Sequence, residues 1–278
     1  MSGRKASVPA DLGVVEETLL IPLYARAVET QKPDGLLVDA RAVEMVETID
    51  YDFSRFEDIG SLVGANLRTL VFDDWVRRFL DDSADGTVVE LGTGLNTRFE
   101  RVDNGRVHWF DLDLPDVITL RRAFFVDDDR RRMLAASILD ESWIDTVRDS
   151  PGPYLLLAEA VLAFLDESEV RRVFDLLAER LPAAIFVLDA AGAAMLADQD
   201  SRDVLGTVTA RMRWSCDDPQ EPEGWRPDVR LLDSIDFGGL PDAVWDRLSA
   251  ADQAAMQDFA RTHPERTAAY RINRYRIG

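Results

Sequence analysis

From Gly86 onward the chain repeats one unit: a short apolar run ending in polar residues, then a stretch with helical periodicity. TVVEL (87–91) is the first such run and VHWFDLDLP (107–115) the second, ending in acids and Pro115. MLAASIL (133–139) is the third. YLLLAEAVLAFL (154–165) begins as a strand and turns helical, and AAIFVLDAAG (183–192) is another strand. VITLRRAFF (117–125) and ESEVRRVFDLLAERL (167–181) carry the helical spacing between them. Strands alternating with helices at this interval predict an α/β protein: a parallel sheet with helices on its faces. YRINRYRI (270–277) reads as a closing strand with its polar face outward.

The segment before Gly86 has a different character. Residues 14–30 (with Pro22 as an irregularity), 36–49 and 60–80 all show helical periodicity. Two regions follow: a helical N-terminal cap over 1–85 and a core over 86–278. Within the core, residues 193–235 are irregular, with Pro219, Pro222 and Pro227. Pattern alone leaves two readings open there, a lid over a substrate or a surface excursion. Residues 240–262 are again helical in spacing.

A formal net charge of −20 repels phosphate backbones and anionic membrane surfaces, so no nucleic-acid or membrane partner is expected. No apolar run approaches the roughly 18 residues of a membrane span. MSGRKASVPADLG lacks a signal peptide's apolar region, which predicts a cytoplasmic protein. Cys216 is the one cysteine, and His108 and His263 are the two histidines. That inventory excludes an internal disulfide and a Cys/His zinc site, and no metal is expected. A Cys–His nucleophile remains formally open but has no local context.

Ligands of open parallel sheets bind beyond the carboxyl ends of the strands. Here those ends carry Glu90, Gly92 and Gly94, then Asp111 and Asp113, then Ser137 and Asp140, then Glu159. The two glycines permit positive φ and close backbone approach, so the loop is either a tight turn or the floor of a site. The pattern is not GxGxxG, because Thr97 stands where the third glycine would be. An acid roughly 20 residues beyond the glycines suits the hydroxyls of a ribose. A nicotinamide enzyme is disfavoured by the missing glycine. ATP is disfavoured by the absence of GxxxxGK[ST] and by lysines only at Lys5 and Lys32. A nucleoside ligand without phosphates, S-adenosylmethionine (SAM), fits better.

Six segments, in this order, carry a resemblance: ETLLIPLYARAVET, LLVDARAVEMVETIDYDFS, VVELGTGLNTRFERV, VHWFDLDLPDVITLRRAFF, ASILDESW and LLLAEAVLAFL. Together they resemble the leucine carboxyl methyltransferase family, in particular its bacterial polyketide O-methyltransferases of the tetracenomycin type. The resemblance implies a class I SAM-dependent methyltransferase, a Rossmann-like seven-stranded sheet whose last strand is antiparallel. It also implies residue roles. Arg68 resembles the arginine that pairs with the SAM carboxylate. Gly92 and Gly94 lie under the methionine part beside Glu90, and Asp113 resembles the acid on the ribose hydroxyls. Ser137 and Ile138 align with the pair flanking adenine, and Glu159 with the acid near the cofactor amino group. Three positions depart from the pattern: Ser137 replaces an acid, whose hydrogen bond to adenine falls either to Ser137 itself or to Asp140, Asn96 replaces Asp, and Ala160 replaces Gly.

The implied activity is O-methylation of a small natural product, with a small-molecule acceptor as partner and a monomer or homodimer as the assembly. A carboxylate acceptor, ionised above a pKa of about 4, needs no general base, whereas a phenol near 10 does. The chain is poor in histidine, so a carboxylate is favoured and no catalytic residue is assigned. For a phenol, His263 is the candidate base. Tyr24, Arg26, Arg211, Arg213 and Trp214 are the candidate acceptor contacts, arginine for an acid and an aromatic ring for stacking. The competing readings are a SAM-binding protein without transfer activity and a nicotinamide oxidoreductase.

Overall fold

Apolar and β-branched runs with no polar face can only be satisfied inside a sheet covered on both sides. In the computed structural model, which describes residues 7–10, 12–57, 62–201 and 208–278, such runs form the centre of a seven-stranded sheet whose outer strands carry more polar residues. Its strands are β1 (Thr87–Leu91), β2 (His108–Asp113), β3 (Arg131–Ala135), β4 (Tyr154–Ala158), β5 (Ala184–Ala191), β6 (Val229–Ile235) and β7 (Tyr270–Ile277). Their order across the sheet is β3-β2-β1-β4-β5-β7-β6. The first five are parallel, and β7 runs antiparallel to both β5 and β6. The order reverses at β1, so the crevice beyond β1 and β4 is where a ligand is expected.

The N-terminal helices are α1 (Leu20–Thr30), α2 (Ala40–Thr48) and α3 (Leu62–Asp82). Pro22 lies in the first turn of α1, where its missing N–H costs no bond. Asp39 caps α2 by accepting from the Ala42 amide at 2.9 Å. After β1 come α4 (Arg98–Val102), α5 (Pro115–Arg121), α6 (Ser142–Arg148) and α7 (Glu167–Arg180). A capping box between Asp166 and Glu169 starts α7. The later helices are α8 (Ala193–Ala197), α9 (Glu221–Trp225), α10 (Asp242–Trp245), α11 (Ala250–Thr262) and α12 (Pro264–Ala268).

Strand alternation divides the core. Val89, Leu91, Phe110 and Leu112 pack against α6 and α7, while Val88, Trp109, Leu155 and Leu157 pack against α3. A further cluster joins α1, α2 and the segment around Val208–Met212. No described helix is long and apolar enough to cross a membrane.

Three expectations change. The helical half of 154–165 is only a 3-10 turn, Leu162–Phe164. Residues 229–235, expected within the irregular segment, are an edge strand, and residues 202–207 of that segment lie outside the described residues. The late helical region is split into α10 and α11.

Candidate functional site

A cavity of about 720 Å³ opens beyond the carboxyl ends of β1, β2 and β4, with the segment entering α1 as one wall. The β1–α4 loop is its floor. Gly92 has φ +69°, and a Cβ there would sit 2.4 Å from Val161 Cγ2. Both the conformation and the space therefore require glycine. Gly94 has φ +50°, and its amide donates to Asp113 Oδ2 at 2.7 Å. Buried Arg121 fastens the loop from beneath, donating to the carbonyls of Gly94 (2.9 Å) and Asn96 (2.8 Å).

Every expected cofactor residue lines this cavity: Arg68, Glu90, Gly92, Gly94, Asp113, Ser137, Ile138 and Glu159. Asp113 ends β2 and also accepts from the Leu114 amide at 2.8 Å; burial pushes its carboxyl up to about 6 against those two bonds. Asp111 lies two residues back on the same strand face but is consumed in the core, where Arg131 holds it at 2.7 Å. On the opposite wall the Ser137 amide donates to Asp140 Oδ2 at 3.1 Å. Asp140 is exposed and does not line the cavity, so Ser137 is the polar residue the cavity meets there.

The far end is a buried charge network. Arg68, from α3, donates to Glu159 Oε1 at 3.0 Å and to the Tyr270 hydroxyl at 2.9 Å, and its Nη1 is 3.4 Å from Asp189. Arg98, fully buried at the start of α4, contacts Asp73 at 2.8 Å and also pairs with Glu90 and Glu159. Burial would raise Glu159, but Arg98 and Arg68 outweigh it and hold the carboxyl at about 2. Glu90 goes the other way: burial, reinforced by Asp111 and Glu159, pushes it up to about 7 despite Arg98. Glu90 is thus about half protonated near neutrality. Asn96 bridges the two acids, its amide 3.2 Å from Glu90 and 3.4 Å from Glu159. A third carboxylate there would add repulsion, which is the physical sense of an amide in place of Asp.

Ala160 lines the cavity with φ +57°, the left-handed region, and its amide donates to Asp189 Oδ1 at 2.7 Å. The resemblance predicted glycine at this position, and the backbone explains why. Asp189 also accepts from the Tyr270 hydroxyl, and burial raises its carboxyl.

Four acceptor expectations are corrected. Residues 208–216 alternate strictly: Val208, Ala210, Met212, Trp214 and Cys216 are buried, and Arg211 and Arg213 are exposed. Arg211 pairs with Asp200 at 2.6 Å and Arg213 with Asp166 at 3.2 Å, neither lining the cavity. Trp214 packs into the core beside Trp225, with 6.4 Å between ring centroids. Tyr24 stacks on Phe53 at 5.8 Å, outside the cavity lining. Met212 is the residue this stretch turns to the cavity. Arg26 does line the cavity, but it is buried and spent on Asp39 (2.9 Å) and the Leu95 carbonyl (2.7 Å).

Neither histidine lines the cavity; His263 stacks on Phe259 with 4.8 Å between centroids. The Cys216 thiol donates to the Asp218 carbonyl and is pushed up to about 12 by burial, which leaves it inert. Sequence reasoning missed Arg98, Arg121, Asp189 and Tyr270. Two left a signal: Arg121 shares the helical spacing of buried Val117 and Ile118, and Asp189 interrupts an apolar strand.

The strand order and the site at its reversal match a class I SAM-dependent methyltransferase, and the family and relatives make it one with SAM as cofactor. The comparisons agree. Two solved structures share the fold: a candidate methyltransferase from Thermobifida fusca and a DUF574 family protein from Streptomyces avermitilis. The first has TM-score 0.55 and 18% identity, covering 99% of this chain and 96% of that one. The second has TM-score 0.60 and 16% identity, covering 96% and 100%. The leucine carboxyl methyltransferase model matches residues 20–178, and the chain belongs to that family. It is 33% identical to the tetracenomycin polyketide synthesis O-methyltransferase TcmP of Streptomyces glaucescens, over 82% of this chain and 86% of that protein. It is 29% identical to the S-adenosyl-L-methionine-dependent methyltransferase dpfgK of Gibberella zeae, over 83% and 86%.

Proposed function

We propose that this enzyme is an O-methyltransferase that esterifies a carboxylate of a small natural product of the polyketide type. One observation carries the reading: the polar residues suited to SAM and an apolar chamber share one cavity. That chamber includes Met195, Met212, Phe164 and Phe237. Its volume of about 720 Å³ lies within the usual range for small-molecule sites.

When bound, SAM supplies a methyl group on a sulfonium centre. The residues present fit it. Two glycines form a floor that a Cβ would fill, an acid ends β2, and no lysine lines the cavity to serve phosphates. In this reading Arg68 faces the cofactor carboxylate and Glu159, beside Glu90, its amino group. Asp113 takes the ribose hydroxyls, with Ser137 and Ile138 against adenine. Residues 1–85 act as a cap, and the segment after Gly192 covers the acceptor. The apolar walls strip water from an acceptor carboxylate, which makes an already ionised oxygen a better nucleophile without a base.

A phenol acceptor is the second reading, favoured by one observation. Tyr270 and Asp189 line the cavity, hydrogen-bonded to each other, as a pair able to hold and accept a proton. Incubation with SAM and a panel of aromatic acids and phenols, followed by mass spectrometry, separates the readings. Alkali-labile methyl esters are expected. Methyl ethers alone would overturn the carboxylate proposal.

A further inference from the structure

Three arginines line the cavity, and two are committed. Arg26 is spent on Asp39, and Arg68 on Glu159 and Asp189. The third, Arg266 on α12, has no carboxylate of the described residues within ion-pairing distance. Its recorded contact is the face of Phe259, whose centroid lies 5.8 Å from the guanidinium carbon. Arg266 is exposed and Phe259 is 45% exposed, yet both line the cavity, so they stand at its rim. Tyr270 follows Arg266 by four residues across the end of α12, and its ring lies parallel to Phe237 at 5.8 Å. Phe259 is stacked on His263 and faces Arg266, and Phe237 is stacked on Tyr270, so the rim offers aromatic surface beside a cation with no ion-pair partner among the described residues.

The rest of the cavity argues against placing an anion elsewhere. Its other titratable residues include Glu16, Glu90, Asp113, Glu159 and Asp189, in a chain of net charge −20. An anionic acceptor group is repelled by that field except at Arg266, because Arg68 is taken up by Glu159 and Asp189 and, in the reading above, by the cofactor carboxylate. The rim is also remote in character from the floor, where Glu159 and Glu90 are buried beside Gly92.

Resting on the methyltransferase reading above, we propose that Arg266 and Phe259 form a recognition site for a second anionic group of a planar aromatic acceptor, one that is not methylated. Arg266 pairs with that carboxylate or phenolate at the rim while Phe259 and Phe237 pack against the rings. The acceptor class is therefore an aromatic acid with two acidic groups at opposite ends.

The test uses the full chain saturated with S-adenosylhomocysteine. The probes are naphthalene-2,6-dicarboxylate and 6-carbamoylnaphthalene-2-carboxylate, which has the same shape and one anion fewer, titrated by fluorescence. The diacid should bind the unaltered protein roughly tenfold more tightly than the amide. Arg266→Ala should erase that preference while leaving S-adenosylhomocysteine affinity within about twofold, and Arg266→Lys should restore part of it. Equal binding of the two probes, or a preference that survives Arg266→Ala, overturns the inference and leaves the methyltransferase reading standing. Failure of S-adenosylhomocysteine itself to bind brings down both.

Discussion

Replacing Arg98 by methionine keeps most of the side-chain volume and removes the one charge that faces Asp73, Glu90 and Glu159 together. Arg98 is fully buried, and its three partners are at most 8% exposed. Removing one member of a buried ion pair costs about 3–5 kcal/mol, because the remaining charge is left without solvent or partner. For a chain of this size that corresponds to a fall in Tm of about 5–9 °C. The pH dependence carries the sharper signature. Glu90 sits at about 7, above its ordinary value, so folding favours its protonated form and stability is lost as pH rises through 7. Without Arg98 that carboxyl rises further, and the variant should lose more stability at pH 8 than at pH 6. Urea unfolding followed by tryptophan fluorescence at both pH values measures this. Adding Glu90→Gln to the variant should recover about 1–3 kcal/mol as coupling in a double-mutant cycle. A cost below about 1 kcal/mol, equal costs at the two pH values, or no coupling would refute the reasoning.

A cationic amino group placed beside Glu159 and Glu90 lowers the Glu90 pKa from about 7, so S-adenosylhomocysteine binding should release a fraction of a proton at pH 7. Calorimetry in phosphate and in Tris reads the release as a buffer-dependent enthalpy; identical enthalpies would refute it. Gly92→Ala forces a left-handed alanine, at about 1–2 kcal/mol, and also drives a Cβ against Val161. Cofactor affinity should fall about tenfold or more, and Val161→Ala in the same chain should restore only part. Arg211→Ala and Arg213→Ala should each leave kcat/KM within about twofold, since both residues are exposed and paired away from the cavity.

The parallel strands were legible because TVVEL and AAIFVLDAAG admit no solvent face, and the cofactor residues because they sit at strand ends. The acceptor side was not. Arg211, Arg213 and Trp214 are adjacent in sequence and chemically apt, but period-two alternation turns the arginines to solvent and the tryptophan into the core. Arg98 escaped notice because a buried arginine in a short helix looks like any surface residue until its three acids are brought in from α3, β1 and the end of β4. Tyr270 is brought beside Arg68, 202 positions away in sequence, by the antiparallel return of β7. No local pattern encodes such a separation.

That return strand has a consequence for how the protein is made. β7 lies between β5 and β6 although both precede it in the chain. While residues 270–277 are still inside the ribosome, β5 presents an open edge and β6 has no neighbour in the sheet. The irregular register of β6 between Leu231 and Asp233, with its charged neighbours, makes that waiting strand a poor template for other nascent chains. Synthesis that pauses before Tyr270 should therefore expose the aggregation-prone edge of β5, whose backbone from Ala184 to Ala191 finds its strand partner on that side only once β7 arrives.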